Sequence, residues 1–205
     1  MKVLMINGSP REAGNTFLAL DEMRRVFEKN GIETEIFGIG REPVTGCRSC
    51  GACGKLGRCV IDDCVNQLAE KLACSDGLVI GSPVYYGSAN GTLVSLLDRL
   101  FYSNQTDLTM KVGASVAIAR RGGCSSTFDE LNKYFTIAGM PVASSQYWNM
   151  VYGQKKGEVL EDAEGMRTVR VLAENMSFLI KSIALGKEKY GLPEKEDRVF
   201  TNFVR

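Results

Sequence analysis

The chain is 205 residues long, 44% apolar and 24% charged, which suits one generous α/β domain and excludes a disordered chain, a collagenous repeat and a disulfide-stapled miniprotein. Its 25 basic and 24 acidic side chains leave a formal charge of +1; with no long run of like charge there is no electrostatic footprint for nucleic acid or an anionic membrane, and small molecules are the expected partners. Histidine is absent, which removes the commonest general base, every Ser-His or Cys-His nucleophile pair and every histidine-containing metal site.

Lys2–Asn7 (KVLMIN) is a nearly continuous apolar run ending at Gly8, the pattern of a strand buried on both faces of a parallel sheet. After a loop over 8–15, apolar side chains at Phe17, Leu20, Met23 and Phe27 recur at helical spacing, and Asn30-Gly31 supplies the stop signal. Ile32–Gly38 alternates and is rich in β-branched and aromatic side chains, a second and more exposed strand. From Ile39 to Val60 the pattern breaks, and five Gly and four Cys without periodicity make a loop long enough to need a function or a ligand to organise it. Asp62-Asp63 offers an N-cap for a helix through Cys74, and Gly77–Ser82 (GLVIGS) reads as the most buried strand. A loop over 83–90 leads to a helix with Leu93, Leu96, Leu97 and Leu100 on one face, then to a strand over 111–119. A third loop, 120–124, precedes a helix over Ser125–Ala138, a last strand over Val142–Tyr147 and a long amphipathic helix over Gly165–Leu185.

This alternation specifies an α/β fold, a flavodoxin-like three-layer sandwich with five parallel strands in the order 2-1-3-4-5 and helices on both faces. One domain is expected over 1–186, carrying the Cys-rich loop at 39–60. In the tail over 187–205, Phe200, Phe203 and Val204 either dock on a neighbouring subunit or fray. No apolar stretch approaches the ~20 residues that span a bilayer, and Met1–Asn7 is too short for a signal peptide, so a cytoplasmic location without membrane contact is expected.

Ligands of open α/β sheets bind beyond the carboxyl ends of the strands, so the loops after the first, third and fourth strands are expected to form one site. The first, with Ser9, Arg11, Asn15 and Thr16 just before a helix, reads as a phosphate cradle: unpaired N–H groups and the helix dipole favour an anion by about 0.3–1 kcal/mol, and Arg11 adds a fixed charge. It is neither a Walker A loop nor a G-x-G-x-x-G fingerprint. The second, Pro83, Val84, Tyr85, Tyr86 and Gly87, puts two aromatic rings where a flat heterocycle could stack. The third, with Arg120, Arg121, Gly122 and Gly123, offers guanidinium groups and a backbone able to approach closely. Monophosphate cradle, aromatic wall and Gly-rich loop together describe a flavin mononucleotide (FMN) site.

Cys47, Cys50, Cys53 and Cys59 follow a C-x2-C-x2-C-x5-C spacing threaded with glycines. Three thiolates at spacings of two, completed by a fourth, suit all-cysteine ligation of a 4Fe-4S cluster. Zinc, which more often takes two separated C-x2-C knuckles, and an empty or oxidised thiol loop are the other readings of the same residues. Cys64 and Cys74 read as packing residues, Cys124 as buried filler or a reactive thiol. The carboxylate pairs Asp62-Asp63 and Glu161-Asp162 are helix caps rather than acid-base pairs, since adjacent helical residues do not face one another. Tyr147 and Trp148 are read as a flavin cover, an oligomer contact or core.

The opening MKVLMINGSPREAGNT, the compact GCRSCGACGKLGRC, the segment GLVIGSPVYYGS and the later RRGG together resemble the iron-sulfur flavoproteins of the wider NAD(P)H-dependent FMN reductase branch, from residue 1 to about residue 185. The resemblance implies that Ser9, Arg11, Asn15 and Thr16 hold the FMN phosphate, that Pro83–Gly87 line the isoalloxazine and that Gly122 and Gly123 close its other edge. It further implies that Cys47, Cys50, Cys53 and Cys59 ligate a 4Fe-4S cluster, and that dimers pairing into tetramers place each flavin at a subunit interface. The expected activity is an FMN oxidoreductase using NAD(P)H and delivering electrons to a small-molecule or protein acceptor, such as a quinone, an azo dye, a ferredoxin-type protein or oxygen. Flavin N5 carries the chemistry without a protein acid or base. The rival readings are a non-enzymatic electron carrier and a flavoprotein whose cysteine loop is a zinc or thiol element.

Overall fold

A computed structural model describes residues 1–197, 199–201 and 203; Val204, assigned above to the tail, lies outside the described residues. In chain order the elements are β1 Lys2–Asn7, α1 Asn15–Lys29, β2 Glu33–Gly38, the single-turn α2 Cys53–Leu56, α3 Cys64–Ala73, β3 Gly77–Tyr85, β4 Ser88–Ala89, α4 Gly91–Ser103, β5 Val112–Ala119, α5 Cys124–Ile137, β6 Met150–Tyr152 and α6 Ala163–Tyr190. The sheet runs β2-β1-β3-β5-β6 with every neighbouring pair parallel. That is the anticipated 2-1-3-4-5 order of the long strands, with β4 added as a two-residue antiparallel partner at the end of β3.

The alternation within β1 sorts the two halves of the core. Val3 and Met5 pack with Leu20, Met23 and Phe27 of α1 and Val169, Leu172 and Met176 of α6, all buried. Leu4 and Ile6 face the other way, toward Leu68 of α3, Leu93 and Leu97 of α4 and Phe135 of α5. Each such apolar side chain removed from water is worth about 1.5–3 kcal/mol, so helices are held on both faces of the sheet. Among the described residues no helix is long and apolar enough to cross a membrane.

The last strand corrects the sequence reading. Over Val142–Tyr147 the pairing is limited to an isolated parallel bridge between Val142 and Gly113, with Ala143 N donating to the Gly113 carbonyl (2.8 Å); the ladder resumes at β6. Between them the Ser145 hydroxyl hydrogen-bonds the Tyr147 carbonyl (2.6 Å) and the Asn149 Oδ1 (2.7 Å), closing a turn. The buried Asn149 amide then donates to the Ser115 carbonyl at 3.0 Å, so a side chain satisfies a backbone acceptor that a continuous strand would have paired. Tyr147 and Trp148 stand on this excursion, exposed rather than in the core. Asp63 and Asp162 act as the expected caps, accepting from Val65 N and Gly165 N, while α6 continues past Leu185 to Tyr190.

A strand-end cleft and a cysteine pocket

The loop after β1 is wired by its own side chains. Asn7 Oδ1 accepts from Ser9 N (3.1 Å), and the buried Ser9 Oγ accepts from Arg11 N (3.1 Å). Gly8 N donates to the Gly81 carbonyl (2.8 Å), and the Gly8 carbonyl accepts from Asn90 Nδ2 (2.8 Å), which ties this loop to the start of α4. The loop delivers the chain to α1 with Gly14 as an extended N-cap that contributes no side-chain hydrogen bond, and no acidic residue sits in the first turn. The first-turn N–H groups, which have no intrahelical partner, are therefore left for an anion.

A cleft of about 380 Å³ opens there. Ser9, Arg11, Asn15 and Thr16 line it from the first loop, Pro83, Val84 and Tyr85 from the end of β3, and Ile118, Ala119 and Arg120 from the end of β5. Larger grooves lie between α1 and α6 (about 690 Å³) and between α4, α5 and Lys195 (about 850 Å³), but neither gathers the strand-end loops. Of the residues singled out above, Tyr86, Gly87, Arg121, Gly122 and Gly123 are outside the cleft wall. Tyr86 and Gly87 form the turn between β3 and β4, with positive φ at both (52° and 79°), the geometry of a two-residue hairpin of the mirror-image type. The Tyr86 ring points fully into solvent, and Arg121 and Gly122 are also exposed.

Gly123 has a structural reason to be glycine. Its φ is +90°, and a Cβ there would come within 2.7 Å of Gly87 Cα and 2.8 Å of Val84 Cγ1, so the loops after β3 and β5 meet backbone to backbone. Ser126 Oγ donates to the Gly87 and Gly123 carbonyls, and Glu130 Oε2 accepts from Ser88 Oγ (2.7 Å) and Ala89 N (2.8 Å), fastening the hairpin to α5.

Five lining residues of this cleft were missed from the sequence: Arg41 after β2, Ile118 on β5, and Gly153, Gln154 and Lys156 after β6. The signal is Gly153-Gln154-Lys155-Lys156-Gly157, a basic pair between two glycines directly after β6. This fourth loop is held by Asn15, whose amide donates to the Lys155 carbonyl (2.9 Å) and accepts from Gly157 N (2.8 Å). Glu158 accepts from Gln154 N (2.7 Å) and Lys155 N (2.8 Å), and these backbone donors hold its carboxyl below the usual range. Arg11, Arg41, Arg120 and Lys156 against Glu12 make the cleft predominantly basic.

The loop over 39–60 folds back on itself through Ser49 and Gly51, both at positive φ, and through Gly57, which ends α2 at φ 70°. Cys47, Cys50, Cys53 and Cys59 all line one cavity of about 150 Å³, closed by Ile61, Arg99 and Tyr102. All seven cysteines are unpaired thiols, and among the described residues no three ligating side chains surround a single-ion position. Asn66 clamps Cys59, accepting from its N–H and donating to its carbonyl, both at 3.1 Å. The guanidinium of Arg99 is sealed behind the cavity and hydrogen-bonds Asp63. Burial alone would raise the Asp63 carboxyl, but Arg99 and the Val65 N–H outweigh it and hold it below the ordinary carboxylate range. Elsewhere, burial pushes the Cys124 thiol up, the opposite of an activated nucleophile.

Residues 1–155 match the family described as NADPH-dependent FMN reductase. The chain belongs to that family. Membership makes this FMN reductase homologue a flavin-dependent oxidoreductase, with the fold already derived. It is 34% identical over 193 residues to an iron-sulfur flavoprotein of Methanocaldococcus jannaschii, covering 89% of this chain and 99% of that protein. An iron-sulfur flavoprotein of Methanosarcina thermophila is 31% identical over 195 residues, covering 92% of this chain and 100% of the relative. Among solved structures, RosB with a bound 8-demethyl-8-formylriboflavin-5′-phosphate superposes with a TM-score of 0.68 at 19% identity, across 100% of this chain and 94% of RosB, a likeness of fold.

Proposed function

We propose that this FMN reductase homologue binds FMN in the strand-end cleft and a 4Fe-4S cluster in the cysteine pocket, takes electrons from NAD(P)H and passes them to a small-molecule or protein acceptor. The observation that carries the reading is convergence: four thiols from a single loop line one cavity, while an uncapped helix start, an aromatic strand end and a basic rim share one cleft.

The residues fit FMN. The free N–H groups opening α1, the guanidinium of Arg11 and the hydroxyls of Ser9 and Thr16 suit a phosphate dianion. Pro83, Val84 and Tyr85 offer a flat apolar wall, and the cleft volume is within the ~300–1,000 Å³ of ordinary ligand sites. Bound FMN would supply hydride acceptance from a reduced nicotinamide and electron release in single steps. The chain's part is to bind and orient: Arg41, Arg120 and Lys156 offset anionic charge, and the Asn15 clamp holds the fourth loop against the cleft. No protein proton donor is required, consistent with a chain that has no histidine. The cysteine pocket fits an iron-sulfur cluster by its donors, four unpaired thiols under an apolar cover. The exposed pair Tyr147 and Trp148, with ring centroids 5.1 Å apart, supports a homodimer or homotetramer assembled on that excursion.

The test is anaerobic purification followed by flavin, iron and acid-labile sulfide determination, with steady-state oxidation of NADH and NADPH against a quinone. Bound FMN, iron and sulfide in equal amounts, and turnover are expected. Failure to take up added FMN in a calorimeter ends the cleft reading. Zinc in place of iron, or sulfide absent after reconstitution, ends the cluster reading. Flavin present without nicotinamide oxidation would make the protein an electron carrier.

A further inference from the structure

Among the described residues, the largest side chain sealed from solvent is not an aromatic but the charged Arg99, 1% exposed on α4. A buried guanidinium persists only where its donors are matched, and here they all are. Nη1 donates to Asp63 Oδ2 (2.6 Å) and the Thr45 carbonyl (3.2 Å). Nη2 has two N–H bonds for three acceptors: it donates to Asp63 Oδ1 (2.9 Å) and to the Ile61 carbonyl (3.1 Å), and shares a donor with the sulfur. The remaining edge faces sulfur, with Nε at 3.3 Å and Nη2 at 3.2 Å from Cys59 Sγ. One planar fork therefore grips the chain before Cys47, the chain after Cys59 and the N-cap of α3, and still aims two N–H bonds at a single thiol.

Nothing in the FMN cleft needs this arrangement, since Arg99 is absent from its lining. If the fork served only to anchor the loop, the carboxylate and the two carbonyls would suffice; the donors on Cys59 are left to be explained. We propose that Arg99 is the positioning residue of the cysteine pocket, and that its two N–H donors to Cys59 Sγ raise the reduction potential of the iron-sulfur cluster bound there. The inference rests on the cluster reading above.

The physical cause is a difference in charge. Taking up one electron from a reductant such as dithionite, with no bond made or broken, leaves one more negative charge spread over iron, sulfide and the ligating thiolates. N–H dipoles fixed on a ligand sulfur stabilise the form with more charge, and do so most effectively where water is excluded. Asp63 offsets much of the guanidinium's net charge, so the directed N–H bonds supply the effect. Lysine, a point charge on a flexible stem, cannot present the same fork to a carboxylate and a sulfur together.

The experiment compares the anaerobically purified full chain with Arg99→Lys and with the neutral pair Arg99→Gln/Asp63→Asn, after iron, sulfide and flavin have been measured in each. Potentials are read by electron paramagnetic resonance during titration with dithionite and mediators. In variants that keep flavin and cluster, the one-electron reduction equilibrium should move about tenfold or more toward the oxidised form, which is about 59 mV or more in the negative direction. Loss of the cluster from both variants with flavin retained supports the positioning part. A wild-type potential in both loaded variants overturns the inference, whereas a wild-type protein without sulfide overturns the cluster reading instead. Should neither variant fold, wild-type protein labelled with nitrogen-15 arginine decides: hyperfine coupling from a guanidinium nitrogen to the reduced cluster is expected, and its absence overturns the inference.

Discussion

Asn15 and Gly157, 142 residues apart, are joined by a 2.8 Å hydrogen bond from the glycine N–H to the asparagine Oδ1. The other end of the same amide donates to the Lys155 carbonyl. The first residue of α1 thus closes the fourth loop onto the cleft, with one N–H and the oxygen of its amide engaged by that loop. Its backbone N–H and the second N–H of the amide remain available to a phosphate.

This makes Asn15→Ala informative. Two hydrogen bonds worth about 1 kcal/mol each are lost, the loop over 153–157 loosens, and FMN affinity is expected to fall roughly tenfold or more. Isothermal calorimetry on apoprotein checks it; unchanged affinity would show that the fourth loop does not contribute to binding.

Gly123→Ala tests the contact between the loops after β3 and β5. The substitution puts a methyl group into space occupied by Gly87 and Val84, at a φ of +90° that L-residues rarely adopt. Destabilisation by about 1–3 kcal/mol is expected, measured by denaturant unfolding, together with weaker flavin retention. Gly122→Ala, where a Cβ meets nothing within 4 Å, serves as the neutral control.

Tyr86 sits at a φ of 52° with its ring wholly in solvent, so its side chain gains nothing from the fold. Tyr86→Asn suits the left-handed geometry of the hairpin turn better and should raise stability by about 0.5–1 kcal/mol. A lower melting temperature would mean that the ring makes a contact in solution that this single chain does not contain.

Glu35 on β2 lies between Lys2 (2.9 Å) and Lys71 of α3, and the hydrogen bonds from Lys71 and then Lys2 hold its carboxyl below the ordinary range. A depressed carboxylate contributes stability at pH values above its unfolded pKa and loses it as the pH falls through the folded one. Acid titration of unfolding should therefore show a loss beginning below about pH 5 that is smaller in Glu35→Gln. Each partly exposed pair is worth about 0.2–1 kcal/mol, so the difference at neutral pH is modest and shrinks in high salt.

The strands and helices were legible wherever burial repeats along the chain. Val3, Leu4, Met5 and Ile6 announce a doubly buried strand, and Leu93, Leu96, Leu97 and Leu100 a helix with one apolar face, because each pattern is written within a few residues. The last strand, expected over Val142–Tyr147, was not legible, because Ser145 holds Asn149 in a turn and the Asn149 amide takes the place of a ladder donor to the Ser115 carbonyl.

The cysteine spacing and the small, hydroxyl-bearing loop before α1 were plain in the chain, since both are local and follow from residue type. Which side chains share a wall was not. Arg120 was expected there, but Arg41 and Lys156 enter the cleft because parallel pairing brings the carboxyl ends of β2, β5 and β6 to one edge, and Arg99 reaches Cys59 because the packing of α4 carries it there across 40 residues. Periodicity and motif spacing are properties of neighbours in sequence; the meeting of distant loops depends on strand register and helix packing, which are sums over contacts that exist only once the whole chain has folded.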